Sequence, residues 1–315
     1  MNAPILVSVY NRKDHLHKCI ESLKKNRLSK SSIIYIVSDG PKESIDKHEI
    51  NEVREYIDSI EGFAEVIKIL REKNYGSYNS ILSAMSELMQ YHDSFIFLED
   101  DIEVSPTFLD YLNDGLTKYK NNQSILAICS YSIPIVIPKH YGLDVYLGER
   151  FSPWGFAIWK DRFLEIDFSK KNRYDYAINS RTITKKINRI GQDYFELLKM
   201  DSASIINAID VKICFYQIIN SLYCVFPKIS LSRNLGFDGS GEHCGVDDRI
   251  SVDLDLRTPY SLHLADNVKP SKVILKRFKD FQNHKKGCII NTIDFFQHVF
   301  FRLRRKTKAL LNIGK

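Results

Sequence analysis

The stretch Phe95-Ile96-Phe97-Leu98-Glu99-Asp100-Asp101 decides the reading of this chain. Four apolar residues running straight into three acids are the pattern of a buried strand that stops at a polar edge. A continuous apolar run, rather than alternation, is what a strand covered by helices on both faces requires. Three carboxylates at its carboxyl end put negative charge where open α/β sheets bind their ligands. A divalent ion held between two phosphates needs one or two hard carboxylate ligands, with phosphate oxygens and water completing its shell. The triplet also reads as a solvated acidic turn, since Ser105 and Pro106 just beyond it make a good helix start.

Outward from that stretch the pattern repeats. Upstream, residues 5–10 read as a buried strand, and Leu16, Cys19, Ile20 and Leu23 recur at helical spacing. Residues 33–37 make a second strand, ended by the turn signal Ser38-Asp39-Gly40-Pro41. Val53, Tyr56, Ile57 and Ile60 mark a second helix, and residues 64–70 a third strand. Ile81, Leu82, Met85, Leu88 and Met89 mark a third helix. Downstream, Phe108, Leu109, Leu112 and Leu116 precede a strand at 125–129. Strands alternating with helices predict an α/β fold, a mainly parallel sheet flanked by helices. Asn11-Arg12, Ser38-Asp39-Gly40 and Glu99-Asp100-Asp101 all fall at carboxyl ends of strands, which argues for a nucleotide site there.

The second half is less regular. Residues 131–153 are rich in Tyr, Pro and Gly and read as a long loop. Ser152-Pro153-Trp154-Gly155 leads into an apolar segment ending near Trp159. Residues 169–200 read as a polar helical excursion, 205–222 as a helix, 223–231 as a strand and 234–245 as a glycine-rich loop.

Composition bounds the possibilities. The 315 residues suffice for one large α/β domain, or a domain with an appendage. A net charge of +6 suits an anionic partner such as a pyrophosphate or an acidic membrane surface. Nucleic acid is not expected, because no long Lys/Arg stripe interleaves with aromatics in the body of the chain. The six cysteines lack zinc spacing and read as reduced thiols of a cytoplasmic protein. Met1 to Pro4 lead directly into a strand, so no signal peptide is expected. No apolar run reaches the roughly 18–20 residues of a membrane span.

Several residues offer chemistry. Asp39 at a strand end suits a base or ribose hydrogen bond, or simply a turn. Arg12 suits a phosphate or base, or a surface charge. Tyr75-Gly76-Ser77-Tyr78-Asn79 precedes a helix, whose N-terminus favours phosphate; an ordinary cap is the alternative. Asp238, Gly239, Ser240, Glu242 and His243 lie in the glycine-rich loop, which has the composition of a lid, and His243 could ligate a metal. Asp210, inside an otherwise apolar helix, could carry the raised pKa of a general base, or face solvent beside Lys212.

Taken in order, Pro4-Ile5-Leu6-Val7, Asn11-Arg12, Ser38-Asp39-Gly40, Asn74-Tyr75-Gly76 and Leu98-Glu99-Asp100-Asp101 resemble the nucleotide-sugar half of GT-A glycosyltransferases. Ser152-Pro153-Trp154-Gly155 and residues 234–244 resemble bacterial surface-polysaccharide transferases related to the N-acetylglucosaminyltransferase I group. The resemblance spans roughly residues 3–245. It implies a GT-A catalytic domain over 1–250, with a nucleotide-sugar half at 1–130 and an acceptor half with lid loop at 131–250. It implies Asp101 as metal ligand for Mn2+ or Mg2+, with Glu99 and Asp100 on ribose and donor sugar. Arg12 and Asp39 would hold the base, and Trp154 and Gly155 would border the sugar. Asp210 is the best positional match for the base. The implied activity is inverting transfer from a nucleotide-diphosphate sugar, UDP foremost, to a glycan or lipid-linked acceptor. A nucleotidyltransferase and a catalytically silent sugar-nucleotide module are the competing readings.

Residues 251–315 form an extension outside the resemblance. Ile289, Ile290, Ile293, Phe296, Val299, Phe300, Leu303 and Leu310 recur near helical spacing, with Arg302, Arg304, Arg305, Lys306 and Lys308 beside them. A basic amphipathic helix of this kind suits an anionic membrane surface; packing on protein is the alternative.

Overall fold

The computed structural model describes residues 2–43, 46–169, 172–236, 250–260 and 262–284. The first strand, β1 (Ile5–Val9), is buried along its whole length, as its unbroken apolar run demands. It is followed by α1 (Lys13–Lys24), β2 (Ile33–Ser38), α2 (Lys47–Asp58), β3 (Glu65–Leu70), α3 (Ser77–Leu88) and β4 (Ser94–Glu99). These four strands run parallel in the order β3-β2-β1-β4. Next come β5 (Ile102–Val104), α4 (Phe108–Lys118), β6 (Ile125–Cys129), β7 (Val145–Gly148), β8 (Phe156–Trp159) and α5 (Lys160–Leu164). The chain continues through α6 (Arg173–Ile178), α7 (Arg181–Ile190), α8 (Asp193–Ser202), α9 (Ile209–Asn220), β9 (Tyr223–Pro227), β10 (Ser232–Asn234) and α10 (Lys272–His284).

The main sheet has eight strands in the order β3-β2-β1-β4-β8-β6-β9-β7, and β10 pairs with β5 in a separate two-stranded ladder. The expected α/β class is therefore present. The sheet is parallel through its first half and mixed beyond β4, because β8 runs antiparallel to both β4 and β6. Successive residues face opposite layers, as the period of two requires. Ile5, Val7, Ile96 and Leu98 join Leu16, Ile20 and Val53 on one side. Leu6, Phe95 and Phe97 join Ile81, Ala84 and Met85 on the other. Each such side chain contributes roughly 1.5–3 kcal/mol by leaving water, so β1 and β4 occupy the covered centre.

The antiparallel β8 has a positional consequence. Phe97 lies opposite Phe156, so the chain enters β8 beside the carboxyl end of β4, where Gly155 approaches Leu98. Gly155 makes the tight entry possible. Its φ of +86° lies in the left-handed region, and a Cβ there would collide with Ser130 Oγ.

Several elements differ from the sequence expectation. Residues 131–153 are not one loop, since they contain β7, whose four residues are all buried. The helical excursion expected over 169–200, by contrast, is present as α6, α7 and α8. The helix expected over 205–222 begins only at Ile209, and the strand expected to reach residue 231 ends at Pro227. The described residues beyond 250 make contacts with the preceding part of the chain. Ser105 Oγ donates to Asp255 O (2.5 Å), Tyr119 Oη donates to Ala265 O (2.9 Å), and Ile274 and Phe278 of α10 are buried in the core. The basic amphipathic segment beyond it lies outside the described residues. No helix among the described residues is long and apolar enough to cross a membrane.

Candidate active site

The site is built from the carboxyl end of β4. Asp100 and Asp101 are about 95% buried despite their charge, and burial of that kind requires a partner. Arg12, placed at the end of the adjacent β1 as α1 begins, supplies it. Its Nη2 donates to Asp100 Oδ1 and, at 2.9 Å, to Asp101 Oδ2, while Nε donates to Asp100 Oδ2 at 3.2 Å. Burial works against the Arg12 charge, but the two carboxylates outweigh it and hold its pKa above the ordinary value. Arg12 therefore sits on the acidic pair, a partnership the sequence reading did not anticipate. The signal that could have found it is topological: β1 and β4 are neighbours with Ser8 opposite Glu99, so the residues that leave both strands meet.

One arginine does not neutralise the cluster. Burial pushes the Glu99 carboxyl up to about 8, reinforced by Asp101, Asp100 and Asp210 and opposed by Arg12. Burial likewise raises Asp100 to about 6 against the pull of Arg12. Two buried groups are left over. Arg12 Nη1 and Asp101 Oδ1 have no hydrogen-bond partner among the described residues. Such orphans are rare in folded proteins and mark places where another atom belongs.

Asp101 is also held from the side. Leu235 N donates to its carbonyl at 2.8 Å, and the β5–β10 ladder pairs Ile102 with Asn234. A Cβ on Gly236 would run into Asp101 Oδ2, so that glycine is required for close approach. This contact joins the acidic triplet to the start of the glycine-rich stretch.

Asp39 closes the far side of the same edge. Its Oδ1 accepts from the backbone N–H of Gly40 and of Tyr75, both at 2.9 Å. Asn74 Nδ2 donates to Gly40 O at 2.8 Å. The loops after β2 and β3 are thus zipped together, and Gly76, with φ +76°, turns the chain into α3. Asn79 is exposed on the first turn and donates to Tyr75 O at 3.0 Å. Trp154 packs edge-on against Tyr131, with ring centroids 4.4 Å apart, and its carbonyl accepts from Ser130 and Ser232 hydroxyls.

Asp210 joins the cluster from another direction. It lies in the first turn of α9, not mid-helix as the sequence suggested, and is one of the charges that raise Glu99. Burial raises its own pKa, opposed by the Val211 N–H, Arg150 and Lys212. Arg150 is bound at 2.9 Å through both terminal nitrogens to Asp193. Sequence reasoning missed Arg150, which carries no motif. The structure brings together Arg12, Glu99, Asp100, Asp101, Trp154, Gly155 and Asp210, with Asp39, Gly76 and Asn79 further along the edge. Gly239, Ser240, His243, Asp238 and Glu242 lie outside the described residues.

Among the described residues no three His, Cys, Asp or Glu side chains converge as a metal-ligand group. A cation shared with a diphosphate needs only one or two protein carboxylates. The orphaned Asp101 Oδ1, inside an excess of negative charge, fits that requirement for Mn2+ or Mg2+.

Residues 1–133 match the model of the GNT-I family. That range holds Arg12, Asp39, Gly76, Asn79 and the acidic triplet, while Trp154, Gly155 and Asp210 lie beyond it. No curated protein sequence matches the chain. Similar solved structures include S. aureus TarS, at 12% identity and TM-score 0.36, covering 53% of this chain and 30% of that one. A complex of TarS 1–349 with UDP-GlcNAc is similar at 12% identity and TM-score 0.36, covering 53% and 48%. The mannosyltransferase PcManGT from Pyrobaculum calidifontis, in complex with GDP-Man and Mn2+, is similar at 9% identity and TM-score 0.39, covering 69% and 68%. The chain thus spans half or less of the length of these TarS chains.

Proposed function

We propose that the chain is a glycosyltransferase that moves a sugar from a nucleotide-diphosphate donor, UDP foremost, to a glycan or lipid-linked acceptor with inversion. The observation that carries this reading is the convergence at the end of β4. Arg12 bonds Asp100 and Asp101 there, Glu99 and Asp210 add their charge to the same cluster, and the buried Arg12 guanidinium and Asp101 carboxylate each keep an unused atom. A site short of both a cation and an anionic oxygen suits a metal–diphosphate pair.

Asp101 would hold Mn2+ or Mg2+, with His243 the further candidate. The ion, when bound, supplies Lewis-acid neutralisation of the departing diphosphate. Arg12 Nη1 donates to an anionic oxygen of the donor while the rest of the guanidinium keeps Asp100 and Asp101 in place. Glu99 and Asp100 accept from ribose and sugar hydroxyls, and Asp39, Gly76 and Asn79 line the nucleotide side. Trp154 and Gly155 border the sugar, and Gly239 and Ser240 border the diphosphate. The carboxylate of Asp210 takes the proton of the acceptor hydroxyl as its oxygen bonds to the anomeric carbon. The bond from that carbon to the diphosphate breaks, and its electron pair leaves with the diphosphate. One displacement inverts the centre.

The wider reading places this chemistry in surface-polysaccharide biosynthesis in the cytoplasm. In it, residues 1–250 form the catalytic domain and the segment from 251 onward ends in a peripheral anchor to an anionic membrane. Support for the anchor is the basic, apolar pattern of residues 289–310. Its test is co-sedimentation of the full chain, and of a version ending near Lys286, with anionic and neutral liposomes; equal behaviour of both on anionic liposomes overturns it.

The central test is a panel of UDP- and GDP-sugars with Mn2+ and with EDTA, read as nucleoside-diphosphate release, with product anomers assigned by NMR. Metal-dependent release is expected. Binding without turnover would make the chain a sugar-nucleotide-binding module, and formation of nucleotide sugar from sugar phosphate would make it a nucleotidyltransferase.

A further inference from the structure

Beneath the first turn of α9 lies a charged cluster that the chemistry above does not use. Arg173 (2% exposed), Asp201 (8%) and Lys212 (5%) come from α6, α8 and α9. Lys212 Nζ donates to Asp201 Oδ1 at 2.6 Å, to Asn207 Oδ1 at 2.7 Å and to Ala208 O at 3.4 Å. All three ammonium protons are thereby used. The same nitrogen lies 4.4 Å from the centroid of the Tyr78 ring in α3, a cation–π contact. Tyr78 in turn donates to Phe168 O at 3.1 Å. Arg173 completes the cluster with Nη1 to Asp201 Oδ2 at 3.4 Å and Nη2 to Asp167 O.

Two features separate this arrangement from an ordinary buried ion pair. Asp201 takes both cations, so Arg173 stays paired with it when Lys212 is removed. Moreover, two of the three acceptors of Lys212, Asn207 and Ala208, are the residues immediately before α9. The side chain reaches back over the first turn, the turn that carries Asp210, and pins it to α8 and to the start of α3. Lys212 thereby links the segment proposed to carry the base with the segment proposed to face the donor.

We infer that Lys212 is a positioning residue, whose ammonium fixes the first turn of α9, and with it Asp210, against Tyr78 at the head of α3. The inference rests on the reading of Asp210 as base, and its test separates the two. The full chain and its Lys212→Met, Lys212→Arg and Asn207→Ala variants are compared by amide hydrogen exchange over residues 205–214 and by thermal melting. Lys212→Met leaves Asp201 paired with Arg173, so the fold is expected to survive, whereas exchange in this segment should rise at least tenfold. Lys212→Arg should restore much of the protection, and Asn207→Ala, which removes one acceptor, should give an intermediate rise even if Lys212→Met fails to fold. Unchanged exchange in either Lys212→Met or Asn207→Ala overturns the positioning role.

Turnover is then measured on whichever UDP- or GDP-sugar is hydrolysed fastest with Mn2+. Lys212→Met should lower kcat about tenfold or more with donor KM changed less than about twofold, and should add nothing further in an Asp210→Asn background. Full additivity there means that Lys212 acts on something other than Asp210 and overturns the link. If Asp210→Asn alone leaves kcat intact, it is the base assignment that fails, while raised exchange would still establish what Lys212 holds.

Discussion

The ends of β2 and β4 lie two strands apart on one edge of the sheet and use their carboxylates in opposite ways. At β2, Asp39 Oδ1 is taken up by two backbone N–H groups and joins two loops. At β4, Asp101 keeps a buried oxygen with no partner among the described residues, and the arginine beside it keeps a buried nitrogen. Both sites are acidic residues at strand termini, and in sequence they look alike. The first has its Oδ1 engaged by the protein's own backbone and holds two loops together. The second combines unmet hydrogen-bonding capacity on an arginine and an adjacent carboxylate with excess negative charge, the combination expected where a ligand binds.

The largest break in this contrast is expected from Asp101→Asn. Losing a ligand charge removes several kcal/mol of transition-state stabilisation, so at least about a hundredfold in Mn2+-dependent turnover. The melting temperature should hold or rise, because a crowded negative charge disappears. Turnover equal to the parent at saturating Mn2+ would remove Asp101 from the metal role. Asp210→Asn comes next, with kcat lowered roughly a hundredfold and donor affinity within about twofold by calorimetry. A collapse of affinity with unchanged turnover would make Asp210 structural and move the base to Asp238 or Glu242.

The pH dependence of stability sharpens the comparison further. Glu99 has its folded-state pKa raised from the ordinary 4.5 to about 8. Between those values the folded protein keeps a proton that the unfolded chain has lost, so this group makes stability fall as pH rises. A tenfold change in proton affinity is worth about 1.4 kcal/mol. The metal-free protein should therefore melt a few degrees lower at pH 8 than at pH 5.5, and Glu99→Gln should flatten that slope. An unchanged slope in the variant would show that Glu99 titrates normally. The smallest effect belongs to Asp39→Asn. The amide oxygen still accepts both N–H groups, so stability should change by less than about 1 kcal/mol, while affinity for the nucleotide should fall severalfold. A large drop in melting temperature would mean that the charge of Asp39, not its oxygen, holds the loops.

The first half of the fold was legible because its signals are local and long. Residues 94–98 and 125–129 announced strands through apolar runs, and the helices between them through their spacing. The β5–β10 ladder was not legible, since three residues per strand are too few for a period to register and the partners are far apart in sequence. β7 was masked by the Tyr, Pro and Gly around it, and its burial comes from β9, which no local pattern encodes. At the site, the acids were readable as an acidic strand end and the Arg12 side chain as a cation, but their pairing is a product of strand order. The start of α9 was misjudged for a similar reason: Ile205 and Ile206 continue its apolar pattern, yet the chain there is not helical and Lys212 bonds back to Asn207 and Ala208.

The β5–β10 ladder also has a consequence in time. Ser232 pairs with Val104, so the short strand that follows the acidic triplet leaves the ribosome well before its partner exists. At roughly 5–20 residues per second, that interval lasts on the order of 6 to 26 s. Most of the central sheet can be synthesised and packed while the turn at Asp101 still lacks its lateral support. The setting of this edge, and of the cation site proposed for it, is therefore completed late, near residue 236, and a growing chain shorter than that carries the acids without the brace that sets them.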